Sequence, residues 1–89
     1  MISNTTGRFR KAFAGLPKQV QHQAKDAYKQ FKQNPFSPSL RFKRVHSTKP
    51  VYSVRINVEY RAVGIQDENG MIWFWIGAHD DYTKLLSRL

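Results

Sequence analysis

Phe9, Phe13 and Leu16 recur at the i, i+4, i+7 spacing that lays one apolar stripe along a helix, with Ala12 beside them. Asn4, Thr5 and Thr6 precede the stripe and are good N-cap residues, because their side-chain oxygens accept from the unpaired N–H groups of a first turn. Gly15 and Pro17 punctuate its end. Pro17 also suits the first turn of a following helix, where its missing N–H costs nothing. In that second segment Val20, Ala24, Ala27, Tyr28 and Phe31 repeat at i, i+4, i+7, i+8 and i+11. Lys18, Gln19, Gln21, Lys25, Lys29 and Lys32 fill the other side. Asn34-Pro35 stops it, since a residue before proline is pushed out of the helical region. The pattern predicts a helical hairpin.

Residues 34–39 read as a loop by composition, and after them the period becomes two. Leu40, Phe42 and Arg44 alternate with Arg41, Lys43 and Val45; Tyr52, Val54 and Ile56 alternate with Ser53, Arg55 and Asn57. Tyr60, Ala62 and Gly64 alternate with Arg61, Val63 and Ile65. Asp67-Glu68-Asn69-Gly70 is a hairpin turn, since Asn and Gly accept positive φ. Residues 71–76 are continuously apolar, as expected of a central strand covered on both faces. Tyr82, Leu85, Leu86 and Leu89 predict a short C-terminal helical turn. The expected fold is α+β: an N-terminal helical hairpin packed on one face of a curved, roughly four-stranded antiparallel sheet, with the other face free.

A length of 89 residues is one domain, 1–89. No apolar run approaches the roughly 20 residues of a membrane span, and no basic segment followed by an apolar one opens the chain, so the expected location is cytoplasmic. Without cysteine, neither disulfides nor thiolate metal sites reinforce the domain. Six Phe, four Tyr and two Trp supply a core and argue against disorder.

Charge changes the picture most. Fifteen Lys and Arg oppose six Asp and Glu, a formal +9. Residues 1–49 carry eleven basic groups and a single acid, Asp26, whereas residues 50–89 carry four basic groups and five acids. Such asymmetry points to a polyanionic partner: nucleic acid first, through counterion release, and an acidic protein second. A solvated basic surface kept for solubility is the plain alternative.

Side-chain alternation directs Arg41, Lys43, Arg55 and Arg61 to the free sheet face if Leu40, Phe42, Val54 and Ala62 face the helices. Arg41, Lys43 and Arg44 are candidate phosphate contacts. Trp73 and Trp75 lie on the adjoining strand, where aromatic rings among cations would stack unpaired bases, although at least one of them is better read as core. His79 follows the last strand in Ile76-Gly77-Ala78-His79-Asp80-Asp81-Tyr82, either as a general acid or base or as a bystander where Asp80 or Asp81 caps a helix. His22 reads as solvated and His46 as a weak candidate. The histidines lack metal spacing, so RNA cleavage would use the RNA's own 2′-hydroxyl, with Arg55, Arg61, His79 and Tyr82 as the catalytic set.

The run from Asn34-Pro35 through Leu40-Arg41-Phe42-Lys43-Arg44-Val45, then Tyr52-Ser53-Val54-Arg55-Ile56, Tyr60-Arg61-Ala62-Val63 and Trp73 to Tyr82, resembles the RelE/ParE toxin superfamily, nearest to its RelE-like translational repressors. The resemblance extends from Thr5 onward and implies the toxin of a type II toxin–antitoxin system. It implies ribosome-dependent mRNA cleavage, a cognate antitoxin as partner, and no metal or organic cofactor. Arg61 matches the family's phosphate-stabilising arginine. Ser53 and Arg55 stand where the family carries two lysines, and His79 stands near a second arginine. These departures shift the expectation from a cationic mechanism toward acid–base chemistry. They leave open a ParE-like gyrase inhibitor or an inactive RNA- or antitoxin-binding member.

Overall fold

The computed structural model describes residues 2–89. Its order is β1 (Ile2–Thr5), α1 (Gly7–Ala14), α2 (Lys18–Gln33), a 3₁₀ turn (Pro38–Leu40), β2 (Lys43–Arg44), β3 (Val51–Arg55), β4 (Tyr60–Asp67), β5 (Gly70–Ala78) and α3 (His79–Arg88). The five strands form one sheet in the order β1-β5-β4-β3-β2. The α+β class and the helical pair stand as expected, with three differences in detail.

First, the sheet is mixed. Asn4 and Thr5 are not cap residues but part of β1, which runs parallel to β5, pairing Ser3 with Met71 and Thr5 with Trp73. Thr6 alone caps α1, its Oγ1 accepting from Phe9 N at 3.1 Å. Only glycine fits at position 70, where φ is +141° and an added Cβ would strike the Ile2 carbonyl.

Second, the expected strand over 40–45 shrinks to Lys43–Arg44. Pro38 opens a 3₁₀ turn, Leu40 ends it buried, and Arg41 caps it in the left-handed region at φ 46°.

Third, the far sheet face is not free. Instead of a short turn, α3 is ten residues long and covers part of that face. On the near face Phe31 meets Phe42 and Trp73 edge-on, at centroid distances of 5.1 and 5.2 Å. Val54, Ala62 and Ile76 complete this layer beneath α2. On the far face Val51, Val63 and Tyr82 form a second, smaller core with Trp75, Leu85 and Leu86 against it. A bulge divides the layers. Val63 pairs with Trp75 and Gly64 with Trp73, so Phe74 is an extra residue in β5. Trp73 therefore joins the helical core while Trp75 turns toward α3. No helix is long and apolar enough to cross a membrane among the described residues.

Candidate nucleic-acid interface

Arg55 and Arg61 are direct cross-strand partners on β3 and β4, so both point to the α3 side of the sheet. Ile56 N donates to Tyr60 O at 3.0 Å, which makes the adjoining Arg55/Arg61 pair the non-hydrogen-bonded kind, whose side chains stand closest. On β5 the next position in this row is Gly77. Its missing side chain admits the Trp75 indole, whose Cζ2 would lie 2.8 Å from an added Cβ. The parallel row is Ser53, Val63 and Trp75, with Lys43 opposite Ser53 on β2. Lys43 thus shares the face of Arg55 and Arg61.

One edge of the Arg61 guanidinium is anchored. Its Nη1 donates to Asn57 O at 2.6 Å and Val58 O at 3.3 Å in the turn between β3 and β4, and to Tyr60 O at 3.0 Å at the start of β4. Partial burial pushes the pKa of Arg61 down; the Arg55 and Arg41 guanidiniums push the same way, and Tyr82 opposes them. Like charges are held together here at a cost, and a bound anion would relieve it.

His79 is exposed and begins α3, with Ala78 rather than an aspartate at the N-cap position. Its N–H donates to Glu59 O at 2.6 Å, which ties the start of α3 to the β3–β4 turn. Asp80 and Asp81 occupy the first helical turn, where carboxylates complement the helix dipole. Arg61, His79, Glu59, Asp80, Val58 and Ala78 line one open cleft of about 440 Å³. Glu59 escaped the sequence reading. Only its place in the turn facing the start of α3 marks it, and that pairing is not visible along the chain.

The remaining candidates separate. Tyr82 is buried, donates to Ser53 Oγ at 3.1 Å, and lies under His79 at a ring distance of 5.8 Å. Its hydroxyl supports the site from beneath. Trp73 is 3% exposed and its Nε1 donates to Ser3 Oγ, so it is a core residue and not a stacking platform. Trp75 is half-buried, between Gly77 and Tyr82. Arg44 faces away from Lys43, and its Nε donates to His46 O and Lys49 O, which commits it to the β2–β3 loop. His46 accepts from Thr48 N and Lys49 N through Nδ1 and meets Leu89 O through Nε2 at 3.0 Å, a latch on the end of α3 rather than a site. Arg41 is exposed and close enough to Arg61 to perturb it.

The family model described as ParE-like toxin domain matches residues 18–84. Among curated proteins, none matches the chain in sequence. Solved structures share the fold at low identity. YafQ from E. coli strain BL21(DE3) superposes with a TM-score of 0.73 at 12% identity, over 91% of this chain and 96% of that one. The RelB–RelE antitoxin–toxin complex from Methanococcus jannaschii gives 0.68 at 16%, over 91% and 95%. The YoeB–YefM complex from Staphylococcus aureus gives 0.68 at 18%, over 89% and 97%.

Proposed function

Because the chain belongs to the family of ParE-like toxin domains, within the RelE/ParE superfamily, we propose that it is the toxin of a type II toxin–antitoxin pair and acts as a ribosome-dependent mRNA endonuclease. The observation that carries this reading is the Arg55–Arg61 pair on one sheet face, with His79 lining the cleft beside Arg61. Two cations side by side suit a phosphodiester whose negative charge grows in the transition state. The RNA 2′-oxygen attacks phosphorus as the P–O5′ bond breaks, leaving a 2′,3′-cyclic phosphate and a 5′-hydroxyl. Glu59 takes the 2′ proton and His79 protonates the departing 5′ oxygen, each from the cleft they share with Arg61. Arg41 and Lys43 extend the cationic surface along the RNA backbone.

A cognate antitoxin is the protein partner in this reading. The solved RelB–RelE assembly supports it by analogy of fold, and the basic first half calls for an acidic or amphipathic segment that folds on binding. The test is induced expression followed by mapping of RNA 5′ ends. Growth arrest with new 5′-hydroxyl ends at codon boundaries is expected, lost in H79A and in R61A. If both variants stay toxic and transcripts stay whole, the nuclease reading fails. The ParE-like description of the family model favours a second reading, gyrase inhibition. That reading predicts blocked supercoiling with no need for His79.

A further inference from the structure

A second, polar pocket of about 170 Å³ opens between α2 and the 3₁₀ turn, beside Arg55. It holds Asp26, the single acid among the first 49 residues. Gln23, Asp26 and Gln30 follow one another at i, i+3 and i+7, so a single face of α2 presents all three. Both amide oxygens are already engaged. Gln23 Oε1 accepts from Asn57 Nδ2 at 2.6 Å, and Gln30 Oε1 accepts from Ser39 Oγ at 2.8 Å. The two NH₂ groups are thereby left as donors on either side of a carboxylate with two acceptor oxygens. Ala27, Leu40 and Ile56 give the pocket an apolar floor.

An apolar floor under a polar rim suits a flat heterocycle. The volume lies below the roughly 300 Å³ at which drug-sized ligands begin, so one ring system fits and a peptide helix does not. Among nucleobases, guanine alone presents two parallel N–H donors on its pairing edge, beside an acceptor oxygen. A carboxylate takes the two donors side by side, as it takes an arginine fork, and an amide NH₂ meets the oxygen. Arg55 joins this pocket to the cationic row. Lys43 pairs with Ser53 and is the first residue of β2, so Arg55 has no β2 residue beside it on the sheet edge.

We propose that this pocket binds a guanine base of the RNA, with Asp26 reading its N1–H and N2–H₂ edge while Arg55, on the pocket's rim, holds the attached phosphate. The assignment rests on the nuclease reading for its substrate, but the pocket is testable without cleavage. Asp26 is exposed, so D26N leaves the core untouched. The probes are 5′-GMP, 5′-AMP, 5′-CMP and 5′-UMP titrated into the ¹⁵N-labelled protein. The expected result is that GMP shifts the Gln23 and Gln30 side-chain amides and binds roughly tenfold more tightly than UMP, and that D26N erases the difference. Equal binding of all four nucleotides, or GMP affinity unchanged in D26N, overturns the pocket. A protein that binds GMP there and cuts no RNA leaves the pocket standing and removes the nuclease. A protein that cuts RNA while GMP leaves both glutamine amides unmoved does the reverse.

Discussion

Arg55 and Arg61 stand directly opposite each other across the β3–β4 ladder, two guanidiniums on one face with no strand between them. Like charges in that position destabilise a sheet by about 0.2–1 kcal/mol. Replacing Arg55 with Gln should therefore raise Tm by about 1–5 °C while weakening RNA binding and cleavage. Thermal unfolding and a cleavage assay on the same preparation measure both. A variant less stable than the parent would show that the pair is not under repulsive strain.

His79 is exposed, and only its backbone N–H ties it to the β3–β4 turn. H79A should keep the fold and Tm yet lower the cleavage rate by roughly 10²–10⁴-fold, the usual worth of a positioned general acid. Single-turnover cleavage of a ribosome-bound transcript is the measurement.

Tyr82 separates support from chemistry. Its hydroxyl donates to the buried Ser53 Oγ, and removing one partner of a buried bond costs about 1–3 kcal/mol. Y82F should lower Tm by several degrees and slow cleavage only slightly at a temperature where it stays folded. A loss as large as that of H79A would make the phenol a proton donor after all.

Arg41 adopts φ 46° where it caps the 3₁₀ turn, a conformation that costs a non-glycine residue about 1–2 kcal/mol. R41G should be at least as stable as the parent, and its RNA affinity should fall with a shallower dependence on salt, by about one counterion. Filter binding across a salt series reads the slope.

Gly64 is a packing position. An added Cβ would come within 2.8 Å of Trp73 Cε3 and 2.9 Å of Ile72 O. Because one of these is backbone, G64A should cost about 1–3 kcal/mol, visible as a lower urea midpoint with an unchanged slope.

The period-3.6 stripes of residues 9–16 and 20–31 and the period-2 runs of β3 and β4 were legible because each element buries one side, and burial writes a period into the chain. β1 was not. Ile2–Thr5 is too short to show alternation, Ser3, Asn4 and Thr5 are ordinary cap residues, and the partner strand lies some seventy residues away. The bulge at Phe74 was equally hidden, and it alone sends Trp73 and Trp75 to opposite faces. Strand alternation was enough to put Arg55 and Arg61 together. Turning Arg44 away needed the β2–β3 loop carbonyls, and placing Glu59 beside His79 needed the folded hairpin.

Trp73 Nε1 donates to Ser3 Oγ, joining the first strand to the last. Some seventy residues separate these partners along the chain, so β1 must wait for β5 before it can settle. The cleft beside Arg61 is likewise closed by Ala78 and His79 from the same late stretch. A nascent chain therefore cannot close this face until β5 and the start of α3 have been synthesised.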